Sequence, residues 1–407
     1  MRTFLVCAAF TMAFTPASAR AQTVALTESE ALAQLGADSS RVQAARASIE
    51  VARADVLAAA RWPNPRVTYN REAVAGIAED MFTVTQPLPV SGRRRLEISA
   101  AMARVEASSL RAEDQIRRLR ADLRLAFTDL WTAQEREREL ARNRDRLKEV
   151  AGILAKREEA GEAAGFDRLR AEREVLDLDA SRALATSDRA RAQALLASFL
   201  AGPREPSVLE AVRPTAPSAD VPTVDELVAR AETSRGELVA WSREVDAAAF
   251  AEQAARRRTV PEPEVVGGTK TSNAAGGDVG SIISVHVAIP LFDRSRPERA
   301  AAQARERQAR AQADVLRQTI RAQIAAWRAA LIGRRQIAEQ HRAALGAGTG
   351  QIERIAQVSY EAGERGILEL LDAYRTASAA RLRQTELDAA VREAEIELDF
   401  VSGWEIP

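Results

Sequence analysis

Glu159-Ala160-Gly161-Glu162 closes a long proline-free run that opens near Gly92, and the same four residues return unchanged as Glu361-Ala362-Gly363-Glu364, 202 positions later. Three further echoes keep the same order at nearly the same spacing. Thr27-Glu28-Ser29-Glu30 and Thr223-Val224-Asp225-Glu226 both read as capping boxes, in which a threonine hydroxyl and a glutamate carboxylate satisfy the free N–H groups of a helix start. Pro63-Asn64-Pro65 returns as Pro261-Glu262-Pro263, and Thr85-Gln86-Pro87-Leu88 as Ala288-Ile289-Pro290-Leu291. One such match could be chance in an alanine-rich chain; four in order at a nearly constant offset describe an internal duplication.

Each copy reads alike. A helix of middling length, Thr27 to Arg61 and Thr223 to Arg258, ends at the Pro-x-Pro, since proline cannot continue a helix and forces its predecessor to extend. Two strand-like runs follow, 65–72 and 80–88 in the first copy, 263–271 and 280–291 in the second, with turn-rich residues between them. A long helix comes next, about 92–160 and 296–362, which at the usual rise would reach on the order of 100 Å. Ile116, Leu119, Leu123, Ala126 and Leu130 step by three or four, as do Leu316, Ile320, Ile324, Trp327 and Leu331, the spacing of a coiled-coil seam. The repeated glycines break these helices and a return helix follows each. The organisation expected is a first repeat over 22–202 with a β-hairpin at 65–88, a proline-rich linker over 203–222, and a second repeat over 223–407 with a β-hairpin at 263–291.

Composition agrees with long helices: only 4% of the residues are aromatic and 29% are charged, a balance suited to coiled coils rather than compact globules. The formal net charge is zero, so there is no basic field to attract nucleic acid. Arg2, the apolar run from Phe4 to Phe14 and the small residues Ala17-Ser18-Ala19 fit a secretory signal peptide over 1–21. Its removal takes Cys7, the one cysteine, and with it any disulfide or thiolate site. No later stretch is apolar enough for a transmembrane helix, so a membrane crossing would have to use strands.

The clearest strand alternates. Ile283, Val285, Val287 and Ile289 fall on one face, and Ser284, His286 and Ala288 on the other. That pattern suits a barrel wall between lipid and a watery lumen, and equally a strand laid on a soluble core. Four strands, with no others to pair with, are too few to close a lumen, and open edges cannot face hydrocarbon, so several chains would share one barrel.

Two repeats of helix, hairpin, long helix and return helix behind a signal peptide resemble the TolC-type outer-membrane efflux family over essentially the whole mature chain. The passages Thr85-Gln86-Pro87-Leu88-Pro89-Val90-Ser91-Gly92-Arg93 and Ile289-Pro290-Leu291-Phe292-Asp293-Arg294 are similar to the family's strand-to-helix junctions, and Tyr360 to Glu364 followed by Leu368 to Ala373 to its helix-hairpin tip. The resemblance implies a mainly α fold with membrane β: helical hairpins forming an α-barrel, and a trimeric twelve-stranded β-barrel with four strands from each chain. It also implies a homotrimer in outer-membrane lipid that extends into the periplasm, docked to a periplasmic adaptor protein and an inner-membrane pump of the resistance-nodulation-division type. Gly92-Arg93-Arg94-Arg95 and the short loops look closest to the cobalt-zinc-cadmium resistance branch.

Candidate residues follow, each with an ordinary alternative. Gly161, Glu162, Gly363 and Glu364 mark the tips, where the resemblance places adaptor contact; glycine also simply ends helices. Asp167, Glu369 and Asp372 would make acidic rings at a duct entrance, or lie on a solvated face. Thr83, Thr85, Ser284 and His286 are the lumen-facing strand candidates. His286 and His341 are the only histidines, too few for an intrachain zinc site. Gly346 to Gly350 lacks the context of a phosphate loop and reads as a weak point in the long helix. Trp62, Tyr69 and Phe82 are candidate interface anchors. No catalytic grouping, cofactor fingerprint or metal-ligand set is visible. The function expected is that of a passive exit duct in a tripartite efflux system for small solutes, metal cations among them. The alternatives are the outer-membrane component of type I protein secretion and a soluble periplasmic coiled-coil adaptor.

Overall fold

A computed structural model describes residues 24–161, 165–202, 205–214, 220–274 and 277–404. The expected signal peptide over 1–21, with Cys7, lies outside the described residues. The chain runs β1 (Val24–Leu26), α1 (Glu28–Gln34), α2 (Ser40–Ala60), β2 (Arg66–Val74), β3 (Ile77–Pro87), α3 (Arg93–Glu159) and α4 (Gly165–Ala197). A short 3-10 turn at Pro206–Val208 leads into β4 (Leu209–Ala211). Then come α5 (Val224–Ser234), α6 (Gly236–Arg257), β5 (Pro263–Ser272), β6 (Asp278–Val287), α7 (Arg296–Glu361) and α8 (Ile367–Ser402). The duplication is plain in this order. Both capping boxes form, with the Thr27 and Thr223 backbone N–H groups each donating to a glutamate three residues on, at 2.8 Å. The long helices α3 and α7, of 67 and 66 residues, even start alike: Gly92 and Ser295 both hold a left-handed backbone at the N-cap.

Each expected opening helix is two helices. In the second copy the cause is a close approach: a Cβ on Gly236 would stand 2.3 Å from the Leu110 carbonyl of α3. The adjoining Arg235 leaves helical geometry and turns inward, where its guanidinium meets both carboxylate oxygens of Asp114 at 3.2 Å and lies 4.6 Å over the Phe400 ring. In the first copy the break at 35–39 lets Ala31 and Leu35 enter a core cluster with Phe127 and Leu196. The expectation that the hairpins hold all the strands is also corrected. β1 and β4 pair in parallel, and Gln134 and Gln193 bind the Ala211 N–H and the Leu209 carbonyl at 2.8 Å, so part of the proline-rich linker is stitched to α3 and α4.

The helices form a layer. α3 packs on α2 and α6 toward the strands and on α4 and α8 toward the far end; α7 packs on α5, α6 and α8. That leaves α2 with α4 at one margin and α7 at the other. Both margins carry exposed apolar residues, Val51, Leu57, Leu176 and Leu184 on one and Val315, Ile337, Ile352 and Ile355 on the other. Between them lies a buried ionic chain. Glu28 accepts from Arg124 at 2.7 Å and from Arg392 at 2.6 Å, Arg392 also reaches Glu395 at 3.2 Å, and Arg335 reaches Glu395 at 2.8 Å. These pairs tie α1 and α3 of the first copy to α7 and α8 of the second. Through Gly346 to Gly350, α7 continues without a break.

Candidate functional site: the strand wall and the helix tips

β2, β3, β5 and β6 make one antiparallel sheet in that order, so the two hairpins are joined by β3 and β5 and the edges β2 and β6 have no partner among the described residues. The strands have 9, 11, 10 and 10 residues, the length that crosses a bilayer when tilted. β2, β3 and β5 are longer than the sequence suggests because residues that read as turn, Glu79 among them, continue the ladder, while β6 is shorter. Arg71 and Asp80 are register partners, and Tyr69 donates to Asp80 at 2.6 Å. The turn narrows to Ala75-Gly76, both left-handed. At the other end β6 stops at Val287, ahead of Pro290, which has no N–H to give a ladder.

Register partners share a face, so the two faces can be read across all four strands. One carries Val67, Tyr69, Phe82, Val84, Val265, Ile283, Val285 and Val287, all exposed, with Ile283 85% exposed. The other carries Thr68, Asn70, Thr83, Thr85, Ser284 and His286, with Met81, Val266 and Ile282 among them, while Arg71 and Asp80 lie on the first face toward the turns. All four strand candidates from the sequence therefore lie on one polar face. The charges on it are Glu72, Glu79, Glu264 and Asp278 against Arg66 and Lys270, four minus two, a net of −2 per chain. Lys270 is paired with Glu79 at 2.6 Å.

Aromatic rings bracket the apolar band. Tyr69 and Phe82 are register partners toward the turns, while Trp62, 55% exposed, stands below β2 with the Arg94 guanidinium 5.4 Å over its ring. Tyr69 and Trp62 are seven residues apart, and an extended chain of that length reaches at most about 23 Å, of the order of the apolar band on outer-membrane barrels. No described helix is long and apolar enough to cross a membrane. The strand-to-helix junction is held by Ser91, which donates to Glu262 at 2.5 Å, and by the Leu88 N–H on the Pro263 carbonyl at 2.9 Å.

At the far end of the helices Gly161 and Gly363 both have positive φ, +78° and +74°. The Gly363 N–H bonds the Tyr360 carbonyl at 3.1 Å and the Glu364 N–H the Ser359 carbonyl at 2.9 Å, which caps α7 as the helix reverses. Glu162 lies outside the described residues. Glu369 and Asp372 are exposed on α8, beside the buried Ile367, Leu370 and Leu371, and Asp167 is half-buried in the first turn of α4. The structure thus separates the tip carboxylates from the strand candidates by the full length of the helices.

Sequence reasoning missed the ionic latch above the tips. Glu353 of α7 takes Arg146 of α3 at 2.8 Å and Arg381 of α8, and Arg381 also reaches Glu139 at 3.2 Å. Burial pushes the Glu353 carboxyl up, but the two guanidinium groups outweigh it and hold the group below its ordinary value. Nearby, burial raises the Tyr374 and Tyr360 phenols. Arg375 bridges to Glu174 and Arg168 to Glu158, at 2.7 and 2.5 Å, closing α4 onto α8 and α3. No local motif announces such pairs, because the partners are far apart in sequence.

Residues 31–202, the first copy, match the family described as outer membrane efflux protein. Over that copy the chain is similar to the outer membrane efflux proteins. The chain is 26% identical over 395 residues to the cobalt-zinc-cadmium resistance protein CzcC of Cupriavidus metallidurans, covering 93% of the chain and 90% of that protein. It is 27% identical over 300 residues to the nickel-cobalt-cadmium resistance protein NccC of Alcaligenes xylosoxydans xylosoxydans, covering 69% of the chain and 66% of that protein. Its fold is that of the Campylobacter jejuni CmeC outer membrane channel, with a TM-score of 0.77 at 12% identity, over 99% of this chain and 94% of CmeC.

Proposed function

We propose that this chain is the outer-membrane exit duct of a tripartite system that expels divalent metal cations. The observation that carries the reading is the four-stranded sheet, mainly apolar on one face, mainly polar and net acidic on the other, with two edges unpaired among the described residues. An open sheet edge cannot lie in hydrocarbon, so β6 of one copy pairs with β2 of the next until the wall closes. Three copies give twelve strands, and the apolar margins α2/α4 and α7 meet between neighbouring copies. The apolar face then meets lipid, and the polar face lines a watery lumen whose negative charge favours cations.

The helices hang into the periplasm as a tube. Its tips, at Gly161, Glu162, Gly363 and Glu364, meet the periplasmic adaptor, and Asp167, Glu369 and Asp372 stand at the entrance. Energy comes from an inner-membrane pump, and this chain supplies the path. The names of CzcC and NccC support metal cations as the cargo. The test is the growth of a deletion strain in Ni2+, Co2+, Zn2+ and Cd2+, beside a strain lacking the cognate pump. Matching loss of tolerance is expected; unchanged tolerance to all four ions would remove the metal-efflux role.

A further inference from the structure

We propose that Glu264 and His286 form a cation-transfer site on the polar face of the strand wall, one per chain, for hydrated divalent transition cations such as Ni2+, Co2+ or Zn2+. The proposal rests on the reading of that face as the lumen. The two residues are direct register partners on the adjacent strands β5 and β6, so they stand on the same face. Directly opposed side chains in such a pair have Cβ atoms about 4.5–5.5 Å apart, close enough for an imidazole nitrogen and a carboxylate oxygen to converge on one ion.

Both groups are free to do so. In a chain where most carboxylates are engaged by arginine, Glu264 has no hydrogen bond or ion pair among the described residues. Among the described residues the His286 ring has one hydrogen bond, to the Ser284 hydroxyl 3.4 Å from Nε2, which leaves Nδ1 unengaged. The other histidine is occupied elsewhere, its Nδ1 2.9 Å from Gln384 Oε1 in the helical region. Arg66, the nearest cation by register on this face, stands about 12 Å from Glu264 by strand spacing and rise.

One nitrogen and one oxygen donor suit first-row divalent cations better than Mg2+ or Ca2+, which prefer all-oxygen shells, and better than Cu(I), which prefers sulfur. Two protein ligands leave the remaining positions to water. A cation held this way exchanges fast, as a conduit requires: binding strong enough to enter and weak enough to leave. No group of three or more ligating side chains exists among the described residues to trap it.

The experiment uses the full chain in lipid nanodiscs, with NiCl2 as the probe and binding read by calorimetry. About one Ni2+ per chain is expected, with affinity weakened at least about tenfold by H286N, weakened by E264Q, and unchanged by H341N. Ni2+ should also slow diethyl pyrocarbonate modification of His286 and leave His341 unaffected. Ni2+ binding that is absent, or that survives H286N, overturns the site. A membrane-impermeant maleimide applied to S284C and I283C separates this failure from that of the duct. If S284C is labelled and I283C is shielded, the lumen reading stands and the site alone is lost. The reverse pattern removes the lumen and the proposal with it.

Discussion

Replacing Ile283 by arginine places a guanidinium at the middle of the apolar band, while the same change at Ser284, one residue along, places it on the opposite face. Ile283 is 85% exposed in the single chain, and its level across the sheet is Gly267, Val84 and Val67, with no polar side chain to shelter a charge. It lies between the aromatic level of Tyr69 and Phe82 and that of Trp62. An arginine facing lipid at the midplane of a barrel costs about 2–4 kcal/mol, falling toward about 0–1 near the interfaces. In the proposed trimer three symmetry copies would stand well apart and add, so the assembled wall would lose about 6–12 kcal/mol, a large part of the stability of an ordinary protein. Ser284→Arg meets water and stays within about 0.5 kcal/mol. The assay is urea-driven unfolding in lipid vesicles, together with the amount of each variant in purified outer membranes. I283R should show a strongly lowered midpoint and little assembled material, with S284R close to wild type. Equal stability of the two variants, or the reverse order, would refute the assignment of faces.

Arg235→Ala leaves the buried Asp114 without its partner and is expected to cost about 3–5 kcal/mol in chemical denaturation, whereas the double change Arg235→Met with Asp114→Leu recovers most of it. Gly268→Ala puts a Cβ 2.1 Å from the Phe82 carbonyl, so β3 and β5 must part. Urea-driven unfolding in lipid vesicles should show a loss of about 1–3 kcal/mol relative to Gly280→Ala, where the nearest atom is 3.9 Å away. Because the folded Glu353 carboxyl titrates below its unfolded value of 4.5, its stabilisation of the helix tips is complete above that pH and is lost as pH falls through the depressed value. Hydrogen exchange in α7 and α8 near the tips should therefore rise on acidification below about pH 4.5, and Glu353→Gln should remove that pH dependence.

The fold was legible wherever a local rule governs the chain. Capping boxes, Pro-x-Pro stops and the repeated glycines report backbone constraints that act within a few residues, and the helices, hairpins and reversals follow them. The misread boundaries have distant causes. α5 and α6 separate because Gly236 and Arg235 answer to Leu110 and Asp114 of another helix. Glu79 looks like a turn residue until the register sets it opposite Glu72. Of the site, the alternation of Ile283 to His286 gave the two faces, but the company His286 keeps was hidden. Glu264 sits 22 positions earlier, and only the register of β5 against β6 sets the two side by side. The latch around Glu353 was invisible for the same reason: it joins Arg146, Glu353 and Arg381, on three helices.

The central claim is that the two free edges of the sheet are completed by sister copies, and cysteine cross-linking between those edges tests it directly. Thr68 on β2 and Ile282 on β6 lie on one level, with β3 and β5 between them. Within a chain they are about 14 Å apart, out of reach of a disulfide, which needs Cα atoms within about 7 Å. T68C is combined in turn with G280C, I282C and S284C to allow for the stagger of a closed barrel. Oxidation of outer membranes should link chains in twos and threes in at least one combination, with nothing larger. Single chains in every combination, released from the envelope by salt alone, would contradict the account.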